Sequence, residues 1–322
     1  MTRTRTRLAL ALVTTAALLA GCGGAGTPVE PAPIASVERP RPANVVEGAE
    51  PPADPKGEDC NATASLRPEG LGMPPGSTMD KIKERGQLIV GVDQTTYLFG
   101  FRNPTSGALE GFDIDIANEV AKAIFGNAWR SHIQYRAISS AQRVDLLKEG
   151  TVDIVVRTFS ITCARLKDVG FSTVYYTAGQ RLLAPKNANV RSMADLAGKR
   201  VCATSTSTSS KQIAADPANP VLVTVENWSD CVVLLQQNQV DAISTDDTIL
   251  AGMAEQDPTT EVVGEPFTVE SYGIGVPKQN TDMIKFVNAV LDTVRAGPWQ
   301  DSYNRWLSES LGAATPPPPN YR

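Results

Sequence analysis

Residues 111–124 read GFDIDIANEVAKAI. Phe112, Ile116, Val120 and Ile124 recur every fourth residue, so in a helix they share one face. Asp113 and Asp115 fall in its first turn, where the aligned amides favour negative charge. Gly111 lets the preceding chain turn in. On periodicity alone this is one amphipathic helix, and its surroundings give it a place in a fold. Ahead of it, Leu88–Val92 (LIVGV) is a nearly unbroken apolar run of strand length, the pattern of a strand covered on both faces, with Asp93 at its end. Further ahead, Thr78–Arg85 reads as a helix stopped by Gly86. Behind it come a strand at Ile133–Arg136, a helix at Ala141–Glu149 closed by Gly150, and a strand at Val152–Val156. Strands alternating with helices predict a parallel α/β sheet with helices on both faces.

The alternation restarts after Tyr175–Leu183. Ser192–Leu196 begins a short helix, Lys199–Ala203 a strand, Ser229–Gln237 a helix, and Val240–Ser244 a strand running into Thr245-Asp246-Asp247. Two α/β blocks, with extended segments near Tyr175–Gly179 and Thr268–Tyr272, predict two lobes joined by a two-strand hinge. A ligand then lies in the cleft between them. Residues 58–178 plus 270–312 make a discontinuous lobe one, residues 179–269 make lobe two, and residues 313–322 a flexible tail.

A chain of 322 residues has room for this, with 42% hydrophobic and 20% charged residues. The net charge of -5 argues against nucleic acid as a partner. The single histidine, His132, leaves little room for histidine-dependent hydrolysis or histidine-rich zinc sites. Neither a dinucleotide-binding nor a P-loop glycine pattern occurs. No cofactor and no metal are implied.

The start of the chain reads as an export signal, residues 1–21. Arg3, Arg5 and Arg7 precede the apolar run Leu8–Leu19, which is too short to span a membrane with flanks. Leu19-Ala20-Gly21-Cys22 resembles a bacterial lipobox, which implies a diacylated Cys22 and retention on the outer face of the cell envelope. An ordinary cleaved signal with a chance cysteine is the plainer alternative. Residues 22–57 are proline-rich with few apolar residues, the composition of a disordered tether.

With these segments placed, GFDIDIANEVA resembles the signature of the extracellular solute-binding proteins, family 3, the polar-amino-acid-binding components of ABC importers. Phe171-Ser172-Thr173-Val174-Tyr175-Tyr176, Ser192–Lys199 and Trp299–Leu307 resemble further segments of that family. The resemblance spans about residues 80–310 and is strongest to actinobacterial glutamine/glutamate-binding lipoproteins. It implies the two-lobed type II periplasmic-binding-protein fold, a free polar amino acid as ligand, an ABC permease as partner and a monomer without enzymatic activity. A sensor module reporting to a membrane protein is the alternative role. An enzyme using paired carboxylates such as Asp93 and Asp246 is a third reading, for which no activated nucleophile is evident.

The resemblance also assigns a site. Arg165 would grip the ligand's α-carboxylate, a task suited to a planar fork of donors. Thr158, Phe159, Ser160 and Thr162 would contribute backbone and hydroxyl contacts. Asp246, with Thr245 beside it, would take the α-ammonium, and Asp93 is a further cleft carboxylate. The family's glycine-threonine loop is replaced by Thr204–Ser209, which has no glycine; Thr206 and Thr208 are its candidate contacts. Arg102, Arg157 and Arg181 read as solvated side chains, one or two of which would meet a side-chain carboxylate. Phe99 and Phe101 divide between core and ligand platform. Thr245-Asp246-Asp247 and Gln180-Arg181-Leu182-Leu183 resemble the glutamate/aspartate branch, with glutamine or asparagine next.

If Cys22 carries lipid, Cys60, Cys163, Cys202 and Cys231 remain, an even set outside the membrane with three possible pairings. Cys60–Cys163 and Cys202–Cys231 are expected, because a bond between lobes would block hinge motion.

Overall fold

The computed structural model describes residues 39–51 and 60–322. Residues 41–322 form one compact unit. The export signal, Cys22 and most of the proline-rich stretch lie outside the described residues.

Leu88–Val92 forms the sheet of lobe one with Ile133–Ala137 and Ile154–Val155, parallel to both. Gly275–Pro277 and Val169–Phe171 complete five strands, the former antiparallel to its neighbours. Leu88, Val90 and Val92 are buried, as an apolar run covered on both faces requires. The helix Thr78–Arg85 is capped by Ser77 and ended by Gly86 in the left-handed conformation.

The helix Phe112–Phe125 buries Phe112, Ile116, Val120 and Ile124 together with Ile114, Ala117 and Ala121. Gly111 enters it at φ 126°, and a Cβ there would sit 2.3 Å from the Phe99 carbonyl oxygen, so only glycine fits. Asp115 accepts from Ser302 and Trp306, tying the helix to the closing helix Pro298–Trp306.

Lobe two is a six-stranded sheet. Its order is Val46–Glu47, Val221–Val225, Arg200–Thr204, Ala242–Asp246, Gln180–Pro185 and Thr260–Val263. Tyr176–Ala178 and Glu270–Tyr272 pair antiparallel as a two-stranded ribbon between the lobes. The fold is the expected two-lobed type II binding-protein architecture. Cys60 is bonded to Cys163 and Cys202 to Cys231, each within reach of ordinary disulfide geometry at Cα separations of 5.9 and 5.7 Å.

Two expectations fail. Residues 313–322 are not a loose tail. Tyr321 bridges to Ser65 and donates to Asp292, and Arg295 donates to the Pro317 carbonyl. Prolines block regular structure but not side-chain docking, and composition does not distinguish the two. Within the stretch read as tether, Val46 and Glu47 are a strand of lobe two. A two-residue strand leaves no periodicity to read.

Candidate functional site

The segment after strand Ile154–Val155 carries the site on lobe one. Arg157 is fully buried, not solvated. Its Nε donates to the Ile138 carbonyl and its Nη1 to Ser140, while Nη2 lies 2.6 Å from Asp93 Oδ2. Asp93 also accepts from the amides of Gln94 and Thr95 and the hydroxyls of Thr95 and Thr96. Its oxygens are occupied by its own loop and one arginine, so it is a structural carboxylate, not an open ligand contact. A buried charge needs such partners.

Thr158 follows at φ 38°, a conformation uncommon outside glycine. It is held there by the signature helix, because its amide donates to Asp113 Oδ2 at 2.8 Å, while Tyr175 donates its hydroxyl to Asp113 Oδ1. Burial raises the Asp113 pKa to about 7, against the lowering effect of the Tyr175 and Thr158 hydrogen bonds. A carboxyl with its folded pKa above its ordinary value destabilises the fold as pH rises from about 4 to about 7, by at most about 4 kcal/mol. Asp113→Asn keeps both contacts, with the amide donating to Tyr175. It should therefore raise the melting temperature at pH 8 and converge on the unsubstituted protein only towards pH 4. Parallel curves of melting temperature against pH would refute this.

Phe159 is buried, with the guanidinium of Arg165 4.9 Å and that of Arg143 4.5 Å from its ring centroid. Arg165 Nη1 donates to the Ser160 carbonyl at 2.6 Å, and Thr162 caps the short helix Cys163–Leu166 by accepting the Arg165 amide. Across the cleft, Arg165 Nη2 donates to the Thr206 carbonyl at 3.4 Å, and Thr204 donates to Ser140. The lobes therefore meet at the site.

On lobe two, Thr206 takes φ 57°, so a threonine supplies the left-handed turn that a glycine would adopt without strain. The expected hydroxyl loop is shorter than read, because a helix begins at Thr208. Thr208 donates to Glu270, whose other oxygen accepts from Thr268. Thr245 bonds with Ser209.

Asp246 is buried. Tyr272 and Asp246 share a short hydrogen bond at Oδ2, while Oδ1 has no hydrogen-bond partner among the described residues. Burial first, and nearby Glu270 second, push its pKa well above the ordinary carboxylate range. A buried carboxylate oxygen without a hydrogen-bond partner is a place for a cation.

Arg102 and Arg181 lie apart from this constellation. Arg102 spans a hairpin, donating to the Gly107 carbonyl and to Gln94. Arg181 donates to the Gly264 carbonyl. Phe99 is core, packed on Phe112, Tyr176 and Tyr272, and Phe101 packs on Tyr97 and Trp306.

A model of the bacterial extracellular solute-binding proteins, family 3, matches residues 88–309. The chain belongs to this family. It is 38% identical over 234 residues to the ABC transporter glutamine-binding protein GlnH of Bacillus subtilis, covering 72% of this chain and 85% of that one. It is 34% identical over 239 residues to the glutamate-binding protein GluB of Corynebacterium efficiens, covering 71% and 80%. Among solved structures, an ancestral arginine-binding protein bound to glutamine superposes with TM-score 0.64 at 30% identity, covering 71% of this chain and 99% of that one.

Within this family frame, the residue that sequence reading missed is Arg143. It is 3% exposed and sits at the start of the helix Arg143–Lys148. Its Nε donates to the Ser140 carbonyl and its Nη1 to those of Arg157 and Thr158. Among the described residues its hydrogen bonds all go to carbonyl oxygens, while the Asp246 and Asp93 carboxylates act on it through space. Burial, then Arg165 and Arg157, pull its pKa well below the ordinary value. In sequence it is one arginine on a helix, and no spacing marks it.

Proposed function

We propose that the protein captures an acidic α-amino acid between its lobes, glutamate or aspartate ahead of glutamine or asparagine, and hands it to an ABC-type importer. In this reading it is a non-enzymatic binding protein exported and lipid-anchored through Cys22. Arg143 carries the choice of ligand. A buried guanidinium with only carbonyl acceptors is costly, and a carboxylate is its natural complement. Arg165 and Arg143 offer two guanidiniums beside one ring, and Asp246 offers one open carboxylate oxygen. Two carboxylates and one ammonium fit that set. Glutamine satisfies only one of the two cations. Relatives named for glutamine and for glutamate both stand near this chain, so the discrimination has to be measured.

Calorimetry with glutamate, aspartate, glutamine and asparagine tests it. The acidic pair should bind at least about tenfold tighter than the amides, the equivalent of about 1.4 kcal/mol. Arg143→Gln should abolish that preference more than it weakens glutamine binding. Tighter binding of glutamine than glutamate would remove the acidic assignment.

A further inference from the structure

The lobe-two helix Asp247–Gln256 follows directly on Asp246, and Gly252 lies buried in its middle. A Cβ at Gly252 would stand 2.4 Å from the Tyr97 carbonyl oxygen and 3.1 Å from its carbon. Tyr97 belongs to lobe one. Ala251, the preceding residue, is buried in the lobe-one cluster with Phe99, Tyr176 and Tyr272, and Tyr97 packs against the same cluster. The lobe-one strand Thr95–Thr96 packs on this helix and on Trp228–Gln236 of lobe two. Lobe one thus lands on lobe two at a point with no room for a side chain.

We propose that Gly252 is a positioning residue for ligand capture. Its missing side chain lets the Tyr97 carbonyl rest on the helix that starts at Asp246, and that seat sets the spacing of the two halves of the site. The inference rests on the cleft reading above for its ligand. Neither side of the contact can easily give way. Leu98 takes φ 74°, and the carbonyls of Leu98 and Phe99 accept the amides of Phe112 and Asp113, so the first turn of the signature helix pins the loop from one side. Asp93 pins it from the other through Thr95 and Thr96. On lobe two the glycine sits in a regular helix, about 9 Å along the axis from Asp246. A Cβ therefore needs the lobes to part by about 1 Å there to reach ordinary contact distance. The bond from Arg165 to the Thr206 carbonyl already measures 3.4 Å, so it does not survive such a shift. A ligand held by Arg165 on one lobe and Asp246 on the other loses its fit in the same step.

Gly252→Ala is the test, read by calorimetry with glutamate and glutamine and by melting without ligand. The Kd for each amino acid that binds should rise at least tenfold and by a similar factor, because the spacing acts on the α-groups that both share. The ligand-free protein should melt no lower than the unsubstituted one, since alanine favours a helix interior over glycine and the lobes can part. An unaltered Kd overturns the proposal. So does a lower melting temperature without ligand, which would make Gly252 an ordinary packing glycine of the fold. If the unsubstituted protein binds neither amino acid, the cleft reading fails instead. The seat is then judged by solution scattering of the ligand-free protein, where Gly252→Ala must give a larger radius of gyration and an equal one refutes it.

Discussion

Arg165→Ala should weaken amino-acid binding by about 2–5 kcal/mol, roughly thirtyfold to several thousandfold. The α-carboxylate of a ligand enclosed by two lobes loses its water and needs a charged partner there. Arg165 is already aimed by the protein. Its Nη1 rests on the Ser160 carbonyl, its guanidinium lies over Phe159, and its Nη2 reaches the Thr206 carbonyl of the other lobe. Ordering of that fork is therefore complete before ligand arrives, and little entropy is left to lose on binding. Removal takes away the partner charge and one of the cross-lobe contacts together. Arg165→Lys should recover only part, because an ammonium keeps the charge and loses the planar pair of donors. Calorimetry on both variants decides it. Unchanged affinity in Arg165→Ala would place the ligand elsewhere.

Regular structure was legible where the chain repeats itself. Phe112, Ile116, Val120 and Ile124 announce their helix, and Leu88–Val92 its doubly covered strand, because burial selects for those periods. The α/β restart located both lobes and the ribbon between them. Site chemistry was legible in part. Arg165 bonds to the Ser160 carbonyl and reaches Thr206 of the other lobe, and Asp246 is buried against Tyr272, whereas the Arg102 and Arg181 side chains bond to Gly107, Gln94 and Gly264 instead. A guanidinium's surroundings are set by tertiary packing, so sequence could not tell buried Arg143 and Arg157 from a surface arginine. Asp93 shows the same limit, since only the fold reveals that its own loop and Arg157 fill its oxygens. Asp113 shows a further one. A first-turn aspartate reads as a dipole partner, yet its position in the core makes it the support for Thr158.

Asp246→Asn should weaken binding by about 3–5 kcal/mol, more than a hundredfold, and at the same time stabilise the free protein. Both effects have one cause. Asp246 is buried with Oδ1 unpartnered among the described residues, beside Glu270, and its pKa is driven upward by burial and by that neighbour. Because the folded pKa exceeds the ordinary value, the carboxylate makes the fold less stable as pH rises between the two. The asparagine carries no charge to bury and still accepts from Tyr272, so its melting temperature should exceed that of the unsubstituted protein at pH 8, with the gap closing as pH falls. An ammonium ion in the cleft reverses the balance by supplying the missing partner, so ligand stabilises the ionised carboxylate. Affinity of the unsubstituted protein should accordingly rise with pH up to the folded pKa of Asp246, and that slope should be lost in Asp246→Asn. A melting series and calorimetry at pH 6 and 8 measure all of this. A variant that binds as tightly as the unsubstituted protein would mean the ammonium is held by another group, and Glu270 would be the next carboxylate to replace.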